Sequence, residues 1–529
     1  MDRGRYAAPH RLVQVKLQSV AMVMILLLCL LATIGCDGTS ATAASLHRYL
    51  QTSGASTAAQ QYTLGETLFP YAGQKKPRKG EGYTDPLYHL RVTRITDTEH
   101  DDPTIKAGPN RRDNCGYGIG SGYPTWNPLN SDRTRLMLYG IANDCANLSW
   151  GYLIYDAVSG VLKIDLAPSN QRSPLLWWNN NDPEPRWDRT GTHPYRLYYR
   201  KNMQLRYFDT DTFTDGLTHD FAKDFPQFTP ETDGGAGQER YYVLNHEYGS
   251  PSMDSRYWAF YIERYNGTNS SQEAIFVYDM LEGRVRSQKI LPAGAALKGV
   301  LMSPKGDYVM VNYWDHYASA ANTGEFDGPH VYDRDFGRSV QITKTIPHSN
   351  WAYDAQGNLV VFMLNEDFLM FTRVDTGDKY YVYPQARLGW MGSNSLTAFQ
   401  KQYGWAFFST YGCDAVDYTN CTPENQSAYW AYNQIFAMEL DESKYLFKNG
   451  VPAPKGTPTP RIWRIAFTQN YVDRNYYLQQ PNAQMDYEGT TIWWGANWRM
   501  AEGVHEVYRL DLPPMWHSDL GRGESPKKQ

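Results

Sequence analysis

The chain has 529 residues, 42% of them hydrophobic and 20% charged, the balance of a globular core rather than of a disordered chain. Its net charge of −5 and pI near 6.2, with basic residues bunched only at Lys75–Lys79 and Lys527–Lys528, exclude the electrostatic footprint of a nucleic-acid binder. Aromatic usage is the outlier: 41 Tyr and 16 Trp serve strand packing, and equally serve surfaces that grip part-apolar, part-wet ligands such as sugars.

Arg3, Arg5, Arg11 and Lys16 precede an apolar run over Val20–Gly35, too short for a comfortable membrane span and typical of an export leader. Thr33-Ile34-Gly35-Cys36 resembles a bacterial lipobox, in which Cys36 is lipidated, and Ala41-Thr42-Ala43 is an A-x-A cleavage site; an uncleaved signal anchor is the third option. Residues 1–36 therefore read as the leader and 37–85 as a tether and lead-in, rich in Thr, Ser and Ala over Gly38–Ala59. Residues 86–515 read as the folded domain and 516–529 as a C-terminal tail. The expected destination is secreted or periplasmic, as a monomer that meets a membrane only through its N-terminal anchor.

Four cysteines lie beyond the leader: Cys115, Cys145, Cys413 and Cys421. An even number in an exported chain fits disulfides. Cys115–Cys145 and Cys413–Cys421 are favoured because each closes a local loop, although three pairings are open. The C-x-x-C spacing of a metal site is missing.

No long amphipathic helix follows the leader; short β-branched and aromatic runs broken by Gly, Asp, Asn and Pro predict strands and turns. A polar opening, a tight turn and an apolar strand recur at Asn127–Tyr139, Glu184–Tyr199, Ser250–Ile262, Leu301–Tyr313, Ser349–Met363 and Gln480–Trp494. A second element, a strand ending in an acidic turn, follows at Leu153–Ile164, Leu205–Thr212, Phe276–Val285, His330–Gly337, Phe371–Tyr380, Ile435–Glu442 and Glu506–Pro513. Seven such elements, spaced roughly 45–65 residues apart, predict an all-β, seven-bladed β-propeller, with a β-helix or sandwich as the alternative. The sixth opening, Ser393–Phe399, is weak and an insertion follows around Tyr411–Ala431. A strand near Leu90–Thr96 is predicted to complete the last blade and close the ring.

Over most of Tyr123–Leu512 this motif order resembles bacterial seven-bladed propellers related to oligogalacturonate lyase and the propeller ulvan lyases, with the TolB-like repeat behind them. The resemblance implies a polysaccharide lyase acting on an acidic poly- or oligosaccharide, and a cluster of His and Gln metal ligands on neighbouring blades. The alternative is a non-catalytic propeller that binds glycan or protein at the cell envelope, since one fold hosts many functions.

The start of each innermost strand points into the mouth of a propeller's channel, which would gather Glu184, Arg186, His246, Glu247, Lys298, His348, Asn394, Gln480 and Asn482. Uronate β-elimination needs donors that neutralise the carboxylate, a base for the C5 proton and an acid for the leaving oxygen. Arg186 suits the carboxylate and His348 the proton; these two are the catalytic candidates. Glu184, His246, Glu247, Lys298, Asn394 and Asn482 are the substrate-binding candidates. A Tyr would be the acid, with none singled out.

Plainer roles compete. Arg186 pairs with Glu184 or Asp188 inside its blade, His348 makes a structural hydrogen bond after Pro347, and His246 falls in a loop. His348 and Gln480 suit the implied metal cluster. Asn394 and Asn482, however, stand where His would be wanted, and amide oxygens favour hard cations over transition metals. No metal ligand is assigned, and the cofactor stays open, a divalent cation such as calcium or manganese included. Asp209-Thr210-Asp211 with Asp215-Gly216 lacks the EF-hand spacing and reads as a solvated turn. G-x-S-x-G, H-E-x-x-H and Walker motifs are missing, and Gly116–Gly120 does not open a helix, so dinucleotide binding is not expected.

Overall fold

The computed structural model describes residues 62–67, 74–101, 117–143, 148–166, 184–228, 240–245, 249, 251–266, 269–314, 322–345, 348–365, 367–388, 401–410, 430–470, 480–498 and 504–520. Within them the predicted strand-and-turn pattern becomes antiparallel sheet, strand after strand. The strand Tyr308–Tyr313 shows why. Val309, Val311 and Tyr313 pack into one apolar cluster while Met310 packs into another, so a period-two side-chain pattern buries both faces between neighbouring sheets.

The described strands form six hydrogen-bonded sheets. Three are simple four-stranded stacks in chain order, opening with Arg186–Trp187, Arg240–Leu244 and Leu297–Met302. The sheet that opens with His348–Tyr353 carries a fifth and sixth strand, Phe447–Lys448 and Val451–Pro452, on its outer edge. A further sheet holds Trp405–Ser409, Gln434–Glu439 and Ile462–Phe467; its expected opening, Ser393–Phe399, lies outside the described residues.

The largest sheet has nine strands. It comprises two antiparallel stacks, one opening with Tyr117–Gly120 and the other with Gln484–Met485, joined where Val504 and His505 pair in parallel with Tyr117 and Gly118. Sequential, radially stacked antiparallel sheets of this kind are a β-propeller.

Ring closure is non-local, as the repeat predicted. Arg91–Arg94 adds antiparallel to the strand Val504–Asp511, with Val92 opposite Leu510 and Arg94 opposite Tyr508. Thr63–Leu64 adds to the outer edge of the preceding sheet, opposite Arg464 and Trp463. Part of the stretch expected as tether and lead-in is therefore sheet. Beyond Leu512, Trp516 is buried in the same apolar cluster as Trp405 and Trp463. Gly118 fixes the parallel junction: its φ is +143°, and a Cβ there would sit 2.2 Å from the His505 carbonyl oxygen. Only glycine fits that approach.

Candidate functional site

Two groups of charged residues occupy the starts of the first strands. In the first, Glu184 and Arg186 open their sheet. Glu184 has φ +38°, a conformation that costs a non-glycine residue about 1–3 kcal/mol. Asn482, four residues before the turn residue Asp486 as Glu184 is before Asp188, has φ +43°. Sequence reading had placed both at the mouth.

Arg186 is almost fully buried, and its guanidinium carbon lies 3.8 Å from the centre of the Trp126 ring. Nη1 donates to the carbonyls of Glu184 and Pro185 at 3.0 and 3.1 Å. Nε and Nη2, the edge that grips a carboxylate side-on, are buried with no hydrogen-bond partner among the described residues.

Glu184 does not meet that demand. Its carboxylate lies 3.9 Å from Arg186 Nη2 but 2.8 Å from Nη2 of Arg200. Among the described residues, two guanidinium groups thus share the Glu184 carboxylate, with Arg200 much the nearer. Burial pulls Arg186 below its usual range, with Glu184 opposing. Arginine nevertheless keeps its proton, so the cost is relieved by an arriving anion rather than by deprotonation. Tyr139 and Tyr152, whose hydroxyls are 2.9 Å apart, lie near Arg186.

The second group joins two adjacent sheets. Lys298 sits at a register shift between Leu297 and Gly299, a bulge of the kind that re-aims a side chain. His348 opens the next sheet, opposite Leu364. Both keep part of their side chain exposed. Depth in the fold, and secondarily the Lys298 ammonium, hold the imidazole well below its usual 6.5. It is therefore neutral at pH 7 and chemically able to take a proton. Nearby, Ser349 Oγ donates to Met310 Sδ at 3.7 Å. Asn312, two residues along from Met310, is buried with neither amide atom hydrogen-bonded among the described residues.

The structure thus brings Glu184 to Arg186 and Lys298 to His348. Arg186 and His348 stand on first strands of different, non-consecutive sheets. Asn482 Oδ1 is buried and unpartnered among the described residues, while its carbonyl accepts from Ser121 Oγ at 2.7 Å. Gln480 is buried close by in sequence. His246, Glu247, Asn394, Cys36, Cys115, Cys145, Cys413 and Cys421 lie outside the described residues.

Sequence reading missed Trp126, Arg200 and Asn312. Arg200 had one visible signal, a charge inside the apolar strand Arg196–Lys201. Trp126 and Asn312 had none.

Among the described residues no three His, Cys, Asp or Glu side chains converge as a metal site, and the charged group that lowers His348 is Lys298. No step proposed below runs through a metal.

No family model matches the chain, and no curated protein matches it. Among solved structures it is similar to oligogalacturonate lyase from Vibrio parahaemolyticus, at 11% identity over 83% of this chain and 100% of that one, with a TM-score of 0.49. An oligogalacturonate lyase in complex with manganese matches at 11% identity, covering 83% of this chain and 98% of that one, with a TM-score of 0.48. Regucalcin, a calcium-binding protein from Agrobacterium tumefaciens, matches at 14% identity over 58% of this chain and 86% of that one, with a TM-score of 0.29.

Proposed function

We propose that this chain is an exported seven-bladed propeller that binds an acidic polysaccharide or oligosaccharide at the mouth formed by its first strands and cleaves it by β-elimination. The observation that carries the proposal is the buried guanidinium of Arg186, whose carboxylate-gripping edge has no hydrogen-bond partner among the described residues. A uronate carboxylate supplies the two acceptors that this edge lacks. The flat Trp126 ring fixes the plane of the guanidinium.

In this reading the catalytic roles are divided. At the reacting sugar, Lys298 neutralises the carboxylate and so acidifies the C5 proton. Neutral His348 takes that proton, the C4–O bond breaks, a C4=C5 double bond forms, and the leaving oxygen is protonated. Arg186 holds a second uronate of the same chain, with the Tyr139–Tyr152 hydroxyl pair beside it. Binding without cleavage is the second reading, favoured by the separation of Arg186 and His348 on different sheets.

Incubation with pectic, ulvan-like or alginate-type glycans is expected to release an unsaturated uronate absorbing in the near ultraviolet. His348→Ala is expected to lower its rate by about 10²–10⁴, and Arg186→Lys to raise KM more than it lowers kcat. Glycan binding without product selects the scaffold reading; full activity in both variants refutes the site.

Export, lipidation at Cys36 or cleavage after Ala43, and the Cys115–Cys145 and Cys413–Cys421 disulfides belong to the same proposal. Peptide mapping of the oxidised mature protein tests all of them.

A further inference from the structure

We propose that the opposite rim of the ring, where the first strands turn into the second, carries a separate oxyanion site centred on Arg189. Glu184 precedes the strand Arg186–Trp187 and Arg189 follows it. Five residues of chain separate the two ends, at most roughly 16 Å if fully extended.

Arg189 is anchored through its own N–H, which donates to Ser255 Oγ at 3.0 Å. Its guanidinium then lies on Tyr487, with the central carbon 3.5 Å from the ring centre. Tyr487 belongs to a different stack, in the turn after Gln484–Met485, and packs into the same inner apolar cluster as Tyr353, with Tyr403 against it. The floor beneath the guanidinium is thus aromatic.

The carboxylates near Arg189 are already committed. Asp486 accepts from Arg133 Nη2 at 2.6 Å, from Thr490 Oγ1 at 2.6 Å, and from the N–H groups of Thr490 and Thr491 at 2.7 and 3.0 Å. Glu488 is paired with Lys401. Among the described residues, Arg189, Arg133 and Lys401 against Asp486 and Glu488 leave one positive charge unmatched. Nε and Nη1 of Arg189 are buried with no hydrogen-bond partner among the described residues. Burial pulls Arg189 down, with Tyr487 and Asp486 opposing.

A stacked guanidinium uses its face on the ring and leaves its in-plane N–H groups for a planar or tetrahedral oxyanion. The ligand class is therefore a carboxylate or sulfate group, carried on an acidic sugar or present as a free ion. The site stands apart from the mouth at His348 and does not depend on cleavage there.

The test titrates the full chain with sulfate, replacing chloride at fixed ionic strength, and with glucuronate, following the thermal unfolding midpoint. A saturable rise is expected. Arg189→Met is expected to weaken the response roughly ten- to hundred-fold, while product formation from glycan, where present, is unchanged. Arg189→Lys keeps the charge and guards against a folding defect; it is expected to weaken the response about ten-fold. Tighter sulfate assigns a free ion and tighter glucuronate an acidic sugar, and either upholds the site. No saturable rise, or equal rises in the unaltered chain and both variants, overturns it.

Discussion

Replacing Arg94 with methionine tests whether one buried ion pair closes the ring. Glu506 is 1% exposed, on the strand Val504–Asp511. Its carboxylate accepts from Arg94 Nη2 at 2.6 Å, from Thr96 Oγ1 at 2.7 Å and from the Thr98 N–H at 3.1 Å. Arg94 also donates to the carbonyls of Thr96 and Pro77 at 2.7 and 3.2 Å. Burial pushes Glu506 up, opposed first by Arg94, so losing the cation strands a carboxylate in the interior. Breaking such a pair from one side costs about 3–5 kcal/mol. The donors from Thr96 and Thr98 remain, which places Arg94→Met near ~3 kcal/mol. Removing both charges together, Arg94→Met with Glu506→Leu, leaves no carboxylate stranded but strips the buried Thr96 hydroxyl and Thr98 N–H of their acceptor, and is expected to cost less than the sum of the two single variants. Urea unfolding followed by tryptophan fluorescence measures both. Hydrogen exchange at the amides of Arg91–Arg94 reports opening of the clasp without global unfolding. A loss below about 1 kcal/mol for Arg94→Met, or additive single variants, would refute the reasoning.

If His348 is the base, rate against pH should hold well below pH 6.5, because burial first and Lys298 second depress its proton affinity. Lys298→Met removes the second cause and should move the acid limb upward; an unmoved limb separates the two residues. Asp354, pushed up to about 6 by burial and then by Glu442, holds a proton in the folded state that it loses when unfolded. Its contribution to stability is therefore full below its ordinary 3.8 and lost as pH rises through about 6. Asp354→Asn should flatten that fall in a melting series across pH 4–7. Gly118→Ala should lower the melting midpoint, because the added Cβ meets the His505 backbone rather than a movable side chain; an unchanged midpoint would show that the junction opens at no cost.

Much of the fold was legible because a propeller writes its repeat in local chemistry. Asp188, Asp354 and Asp486 each cap a turn through their own carboxylates, as in the bonds from Thr190, Asn358 and Thr490 N–H groups at 2.7, 2.8 and 2.7 Å. Those acids, followed by apolar strands, are the recurring polar openings that the sequence shows. The strand at Arg91–Arg94 was legible for the same reason. The pairing of Thr63–Leu64 was not, since two residues carry no pattern. The site was half legible. A strand start can be read from sequence, and Glu184, Lys298, His348 and Asn482 do sit at strand starts. Partner choice across sheets cannot be read. Nothing in the motif says that Glu184 turns to Arg200, that Arg186 lies on Trp126, or that Arg189 reaches a tyrosine in another stack.

Glu184 and Asn482 occupy one repeat position in two stacks, four residues ahead of Asp188 and Asp486, and share a left-handed backbone at φ +38° and +43°. Asn350 stands at the same offset from Asp354 and is equally buried, with its Oδ1 accepting its neighbour Trp351's N–H at 2.8 Å. The framework thus fixes where this residue sits, and its identity sets the local charge: a carboxylate beside two arginines in one stack, neutral amides in the other two. An acidic ligand is repelled least where Glu184 is neutralised most, which is beside Arg200. Arg200→Met should therefore swing Glu184 toward Arg186, give that guanidinium edge a carboxylate of its own and abolish binding of uronate-containing glycans, even though Arg200 itself pairs with Glu184. Calorimetry of Arg200→Met against Glu184→Gln decides the point, since the second variant raises the local charge and should tighten binding. Loss of binding in both would show that Glu184 contacts the sugar directly, and tight binding in Arg200→Met would remove the open Arg186 edge as its cause.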